Sequence, residues 1–279
     1  WILAAFLFGA IISRIGLPPL VGYLLAGFAL NSFGVTGGEL LESVADAGVT
    51  LLLFTIGLKL KIKSLGKPEV WSGTSIHMIV TVIIFAFLVR MLGFSGIPLF
   101  DQLTWQTSLL IAFALSFSST VFAVKVIEGK KEMASKYAAS AIGILIMQDL
   151  IALVVMSLAA GQTPSQWALI IFGLPLLRPL LFKLLDASGH DELLVLLGLL
   201  LALVLGGLGF EAVGLSSELG ALVLGAMLAN HPRAQELAKS LWSVKEMFLV
   251  GFFLQIGIGG LPDGEALLFA AVALLVVPL

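Results

Sequence analysis

Residues 144–155 read ILIMQDLIALVV, and Asp149 is the one charged side chain in that run. An ionised side chain at the centre of a bilayer costs from about +2.5 to more than 10 kcal/mol, depending on the assay. Such an acid must be protonated, cation-bound or open to a wet cavity. Burial penalises the charged form of a carboxyl, so a carboxyl in this setting can hold a proton or a monovalent cation in turn. That alternation is the physical basis of exchange. The bland alternative is a permanently protonated Asp bonded within a helix bundle. Intramembrane acids are functional by default, which favours the first reading.

A second polar group lies in ALSFSSTVFAVK, where Ser116, Ser118, Ser119 and Thr120 place four hydroxyls within five residues. Hydroxyls can satisfy backbone groups where a helix opens inside a membrane, and opened helices offer carbonyls to ions near the midplane. Small-residue packing, with hydroxyls bonded back to the preceding turn, is the competing account. Gln148 adjoins Asp149 but points about 100° around a helix from it, so it either joins the site or braces a neighbouring segment. Gln255, in GFFLQIGIGG, is a further candidate ion ligand, although interhelical bonding is the commoner role for such a residue. Pro18 and Pro19 suit the start of a helix. His77 reads as structural, and Arg178 as a side chain that snorkels from about 7–8 Å inside a membrane edge.

The elements that position these residues follow from composition. Of 279 residues, 59% are hydrophobic and 11% charged, with a mean hydropathy of +1.13. Soluble domains carry about 25% charged residues, so the chain belongs to the membrane class. It has no cysteine, which excludes disulfides, thiolate metal sites and cysteine nucleophiles, and its net charge of −2 does not suit a nucleic-acid partner.

Eleven apolar segments can be marked, at about 1–13, 18–31, 46–58, 71–92, 105–127, 134–160, 166–183, 193–210, 216–230, 243–260 and 265–279. They lack the alternation of barrel strands, so the expected fold is all-α and polytopic. A span needs about 20 residues, and several segments fall short of that. Asp149 comes about 16 Å from the end of its segment and Ser118 about 20 Å from the end of its own, which puts both near mid-bilayer. Taking alternate connections as one side, 14 of the 15 basic residues share it, and Arg90 alone lies opposite. Such a bias marks the basic side as cytoplasmic and the N-terminus as outside. The stretch HPRAQELAKSLW at 231–242 reads as a surface helix on that side. The chain lacks a starting Met and stops inside an apolar run, and reads as part of a longer protein.

Taken together, these motifs resemble the monovalent cation:proton antiporter-2 family, and within it the Kef-type potassium:proton antiporters. The likeness rests on RIGLPPLVGYLLAG (14–27), AGVTLLLFTIGLKL (47–60), SFSSTVFAVKVI (116–127) and GILIMQDLIALVV (143–155). It continues in LSSELGALVLGAMLAN (215–230) and FLVGFFLQIGIG (248–259). The resemblance implies an antiporter fold with inverted repeats, two discontinuous helices crossing at mid-membrane, and a homodimer in a bacterial inner membrane. By position, Ser118, Ser119 and Thr120 fall in the first crossing helix and Asp149 on the acid that carries proton or cation. Helices at about 71–160 and 243–279 would form the ion-carrying core, and the remainder the dimerising and linking part. The second crossing helix would follow the segment at 243–260, with the chain ending where that helix would break and half the ion cage out of view. A C-terminal nucleotide-binding regulatory domain would lie outside the chain, and gating by glutathione adducts is not expected of the 231–245 loop.

The functional expectation is a secondary transporter, not an enzyme, that exchanges K⁺ or Na⁺ for H⁺ with no cofactor. A cation channel or regulated K⁺ efflux pathway using the same core is the alternative. An intramembrane aspartyl protease would need a second mid-membrane acid, and a non-transporting scaffold would leave Asp149 unexplained.

Overall fold

The computed structural model describes residues 1–59, 67–94, 103–118, 123, 126–127, 130–132, 135–159 and 173–276. All regular elements among them are helical. In chain order they are α1 (Ile2–Arg14), α2 (Pro19–Ser32), α3 (Gly38–Lys59), α4 (Pro68–Leu92), α5 (Trp105–Leu115) and α6 (Lys136–Ala159). Then come α7 (Leu174–Ala187), α8 (Glu192–Glu211), α9 (Ser217–Leu228), α10 (Ala234–Ser240), α11 (Trp242–Ile258) and α12 (Gly264–Val276).

Local chemistry sets many of these boundaries. Pro19 and Pro68 occupy first-turn positions, where a missing N–H costs nothing. Thr104 and Ser216 cap α5 and α9 by accepting the N–H of Thr107 and Leu219, at 3.2 and 3.3 Å. Asp263 accepts the Ala266 N–H at 2.7 Å. Within α8, Leu200–Leu208 winds as a π-helix.

By length and apolarity, α3 (22 residues), α4 (25) and α8 (20) can each cross a membrane. The pair α10 and α11 passes together, bent by 51° between them. On α4, Ile76, Ile79, Ile83 and Phe87 recur at helical spacing and are 63, 59, 63 and 58% exposed, a stripe that suits lipid. The helix buries its other face, Val70, Thr74, Met78, Phe85, Ala86 and Val89. The helices α1, α2 and α9, of 13, 14 and 12 residues, are shorter than the roughly 20 residues of a perpendicular span.

The chain forms two compact units. The first joins Trp1–Leu60 to Ala160–Pro262, and the second joins Lys61–Ala159 to Asp263–Leu279. In the first, α3 is central. It packs on α9 and α11, while α2 packs on α1 and α11 and α9 on α8. The core gathers Leu51, Phe54 and Leu58 of α3 with Leu185, Leu194, Leu201, Leu228, Leu237 and Leu241. The helix α11, grouped by sequence with the ion-carrying set, packs within this unit on α2 and α3.

Backbone contacts at glycine organise that packing, and they occur twice. Between α2 and α11, a Cβ on Gly27 would lie 2.7 Å from the Cα of Gly257. Between α9 and α3, a Cβ on Gly225 would lie 3.1 Å from the Cα of Gly57. Five residues before each of these, Gly22 meets Gly9 of α1 and Gly220 meets Gly206 of α8. Thus α1, α2 and α3 have counterparts in α8, α9 and α11, and each half donates a helix to the other. The motifs at 14–27 and 215–230 carry this repeat as G-x4-G.

The end of α7 is fastened by a distant side chain. The guanidinium of Arg233 donates to the carbonyls of Leu185 (2.5 Å), Asp186 (3.4 Å) and Gly189. Two of these, Leu185 and Asp186, belong to the last turn of α7, where carbonyls lack intrahelical partners, and that of Leu185 also accepts the Ser188 hydroxyl at 2.8 Å. Glu236 holds Arg233 in place at 2.9 Å and also meets His190 Nδ1 at 2.6 Å. Buried His231 lies 3.3 Å from Asp186 and edge-on to Phe182.

Candidate functional site

The helix α5 stops at Leu115, where its hydroxyl-rich sequence begins. Ser116 turns back, its N–H and Oγ both donating to the carbonyl of Phe113, at 3.0 and 2.7 Å. Phe117 packs its ring edge-on against Phe113, with centroids 4.8 Å apart. Residues 117 and 118 have no regular structure. An opened turn leaves backbone donors and acceptors without intrahelical partners, and in a membrane these must be satisfied by protein.

Gln148 satisfies two of them. Its Nε2 donates to the Ser116 carbonyl at 3.2 Å, and its Oε1 accepts the Ser118 N–H at 3.4 Å. The side chain is 2% exposed. One amide therefore bridges both sides of Phe117 from a helix 30 residues further along. Gln148 thus meets the opened segment at both ends of Phe117.

Asp149 follows on the same continuous helix and is half-buried. It stands ten residues, about 15 Å, from the Ala159 end of α6 and 13 residues, about 20 Å, from the Lys136 end. Gly143, a turn and a half earlier, packs against Val70 of α4, 3.2 Å from where its Cβ would be. Small volume there brings α6 close to α4. The second unit thus places together Asp149, its neighbour Gln148, and the opened turn Ser116–Ser118. Ser119 and Thr120 lie outside the described residues.

Gln255 sits in the first unit, near the Ile258 end of α11. Its Oε1 is buried, accepts no hydrogen bond among the described residues, and lies 2.2 Å from where a Cβ on Gly37 would be. Nearby, Asn31 donates to the Ile258 carbonyl at 2.8 Å. Arg178 stands nine residues, about 14 Å, before the Ala187 end of α7. Its guanidinium lies over the Phe182 ring at 5.1 Å, turned toward that end, and its Nε has no hydrogen-bond partner among the described residues.

Sequence reading missed the doubled glycine contacts, the Arg233 clasp and which backbone groups Gln148 meets. The first has a signal, G-x4-G at 22–27 and 220–225. The other two depend on which segments meet in space.

Long apolar helices with an acid in mid-helix, next to an opened turn, define an all-α polytopic membrane protein of the transporter class. The chain matches the family model described as sodium/hydrogen exchanger, transmembrane, over residues 2–278, and it belongs to that family. Among curated relatives, it is 32% identical to the glutathione-regulated potassium-efflux system protein KefC of Klebsiella pneumoniae strain 342, with 91% of this chain aligned to 43% of the relative. The KefC proteins of Salmonella arizonae and of Escherichia coli O139:H28 are each 30% identical, over 88% of this chain and 42% of their own length. The chain therefore spans less than half the length of these relatives.

Proposed function

We propose that the chain is the membrane domain of a secondary transporter that exchanges a monovalent cation for protons by alternating access, K⁺ before Na⁺. Asp149 is the carboxylate that both occupants share. It gives up its proton to bind the cation, then gives up the cation to take a proton, open to one side at a time. The observation that carries this reading is the bridge from Gln148 to Ser116 and Ser118, which fastens an opened backbone segment to the turn of α6 that bears the acid. Oxygens of that segment, with the hydroxyls of Ser118, Ser119 and Thr120, complete the cation's shell. Gln255 is read as a packing residue, because its Oε1 lies against Gly37. The preference for potassium is supported by the relatives, which are potassium-efflux system proteins.

In this reading the unit containing α4, α5, α6 and α12 carries the ion. The unit containing α11 dimerises with a second copy in a bacterial inner membrane, with the N-terminus outside. A nucleotide-binding regulatory domain belongs to the longer protein.

The test is proton flux in proteoliposomes, followed with a pH-sensitive dye across a series of alkali cations. Asp149→Asn is expected to abolish cation-dependent proton movement. Normal exchange by that variant would refute the assignment, and currents far above transporter rates without proton coupling would establish a channel.

A further inference from the structure

The ring of His231 is wedged between the end of α7 and the turn that opens α10. It is buried and stands edge-on to Phe182, with centroids 4.7 Å apart. Its Nδ1 accepts the Arg233 N–H at 3.1 Å, and its Nε2 lies 3.3 Å from Oδ1 of Asp186. The His231 carbonyl accepts the Ala234 N–H at 3.0 Å and closes the turn. A backbone N–H only donates, so Nδ1 must present a lone pair. The proton of the neutral ring then sits on Nε2 and is donated to Asp186.

These contacts pull the ring in opposite directions. A nearby carboxylate favours the imidazolium, whereas the bond accepted at Nδ1 exists only in the neutral form. Protonation turns Nδ1 into a second donor facing the Arg233 N–H, and two buried donors without an acceptor must separate. Arg233 is also the residue whose guanidinium holds the carbonyls of Leu185, Asp186 and Gly189. Pro232, with its fixed φ, keeps the link from His231 to Arg233 short and stiff. Glu236 travels with Arg233, because the two pair within one turn of α10.

The elements packed around this corner bring further charges: Lys183 on α7, Lys59 ending α3, Glu192 opening α8, Lys239 on α10, and Lys245 paired with Glu246 on α11. None of these pairs with His231 among the described residues. The second imidazole, His190, is exposed, and it meets the side chains of Glu236 and Arg233. Between pH 5 and 8, histidine is the side chain whose ordinary titration changes its charge.

We propose that His231 is a proton-operated latch. Neutral, it locks the 231–234 turn to the end of α7; protonated, it stays with Asp186, lets go of Arg233 and frees that end of the helix. The latch stands among the basic residues that sequence reading assigns to the cytoplasm, so this corner of the first unit responds to acid on that side. The inference goes beyond the exchange reading and does not depend on it.

The experiment is hydrogen–deuterium exchange of the whole chain in lipid nanodiscs from pH 8 to pH 5, with rates corrected for the chemical pH dependence of amide exchange. Peptides covering 183–190 and 231–240 are followed beside one from the middle of α3. In wild type, protection of the first two should fall by about fivefold through the imidazole range, the worth of one hydrogen bond, while the α3 peptide stays constant. His231→Asn puts an amide oxygen where Nδ1 stands and has nothing to titrate, so both peptides should stay protected throughout. Asp186→Asn withdraws the charge that favours an imidazolium and should move the loss to lower pH. A ring that only filled space would give no such displacement. His190→Gln should keep the wild-type profile. The proposal is overturned if wild-type protection does not change with pH, if His231→Asn loses protection as wild type does, or if His190→Gln abolishes the change. Should His231→Asn fail to fold, an undisplaced profile in Asp186→Asn overturns it instead.

Discussion

Gln148 and Asp149 show how far neighbouring residues on a helix can diverge in setting, one buried with both ends of its amide on protein backbone and the other half-buried. Side-chain direction explains it, since a step of one residue turns by about 100°. At the same scale, the clasp at the end of α7 makes a pH prediction. The Arg233 hydrogen bond, with help from His190, holds the Glu236 carboxyl at about 2, down from 4.5. A depressed carboxyl contributes stability above its unfolded value and loses it as pH falls toward the folded one. The melting-temperature difference between wild type and Glu236→Gln should therefore be constant above about pH 4.5 and shrink toward pH 2. A difference that grows on acidification would contradict this pairing. Gln255 offers a second test. Gly37→Ala should force its amide aside, and Gln255→Ala should relieve the cost in a double-mutant cycle of thermal stability. Additive effects would show that the two do not touch.

At the scale of elements, the first unit is held by places where helices approach closely enough to exclude a methyl group. A Cβ on Gly57 would lie 2.5 Å from the Leu222 carbonyl oxygen, and one on Gly225 would lie 2.2 Å from that of Phe54. Neither backbone can yield cheaply. Gly57→Ala and Gly225→Ala should each destabilise the protein by about 1–3 kcal/mol, the usual cost of overpacking. Gly73→Ala on α4, where nothing lies within 4 Å, should be neutral or stabilising by up to about 1 kcal/mol from helix propensity. Denaturant titration in detergent separates the three. Helix existence and type were legible in the sequence because apolar runs, Pro19, Pro68 and the Asp149 segment act locally. Length was less so. Helix α7 runs to Ala187, past the expected 183, and its last turn is held by Arg233, 48 and 47 residues along the chain from Leu185 and Asp186. The pairing of halves was encoded only as glycine spacing, which carries no hydropathy signal.

For the whole molecule, the lopsided distribution of basic residues is the strongest global statement in the sequence, and it is testable because the chain has no cysteine. Single cysteines at Glu39 or Asp263 should react with an impermeant thiol reagent added outside right-side-out vesicles. Those at Lys67 or Lys239 should react only from inside. Labelling of both sets from one side would overturn the orientation. The candidate site divides in the same way. Its acid was legible because charge in an apolar run is conspicuous, whereas the brace on the opened turn required knowing that residues 116 and 148 meet.

The doubled glycine seams bear on how the protein is made. Helices α2 and α3 leave the ribosome with backbone grooves shaped for α11 and α9, which are synthesised about 210 and about 160 residues later. Because the late helices repeat the contact chemistry of the early ones, a nascent first half presents a surface that a neighbouring nascent chain can match. Fidelity of insertion then depends on the second half arriving before a sibling does, so slowed elongation or crowded polysomes should trap entwined, non-native pairs.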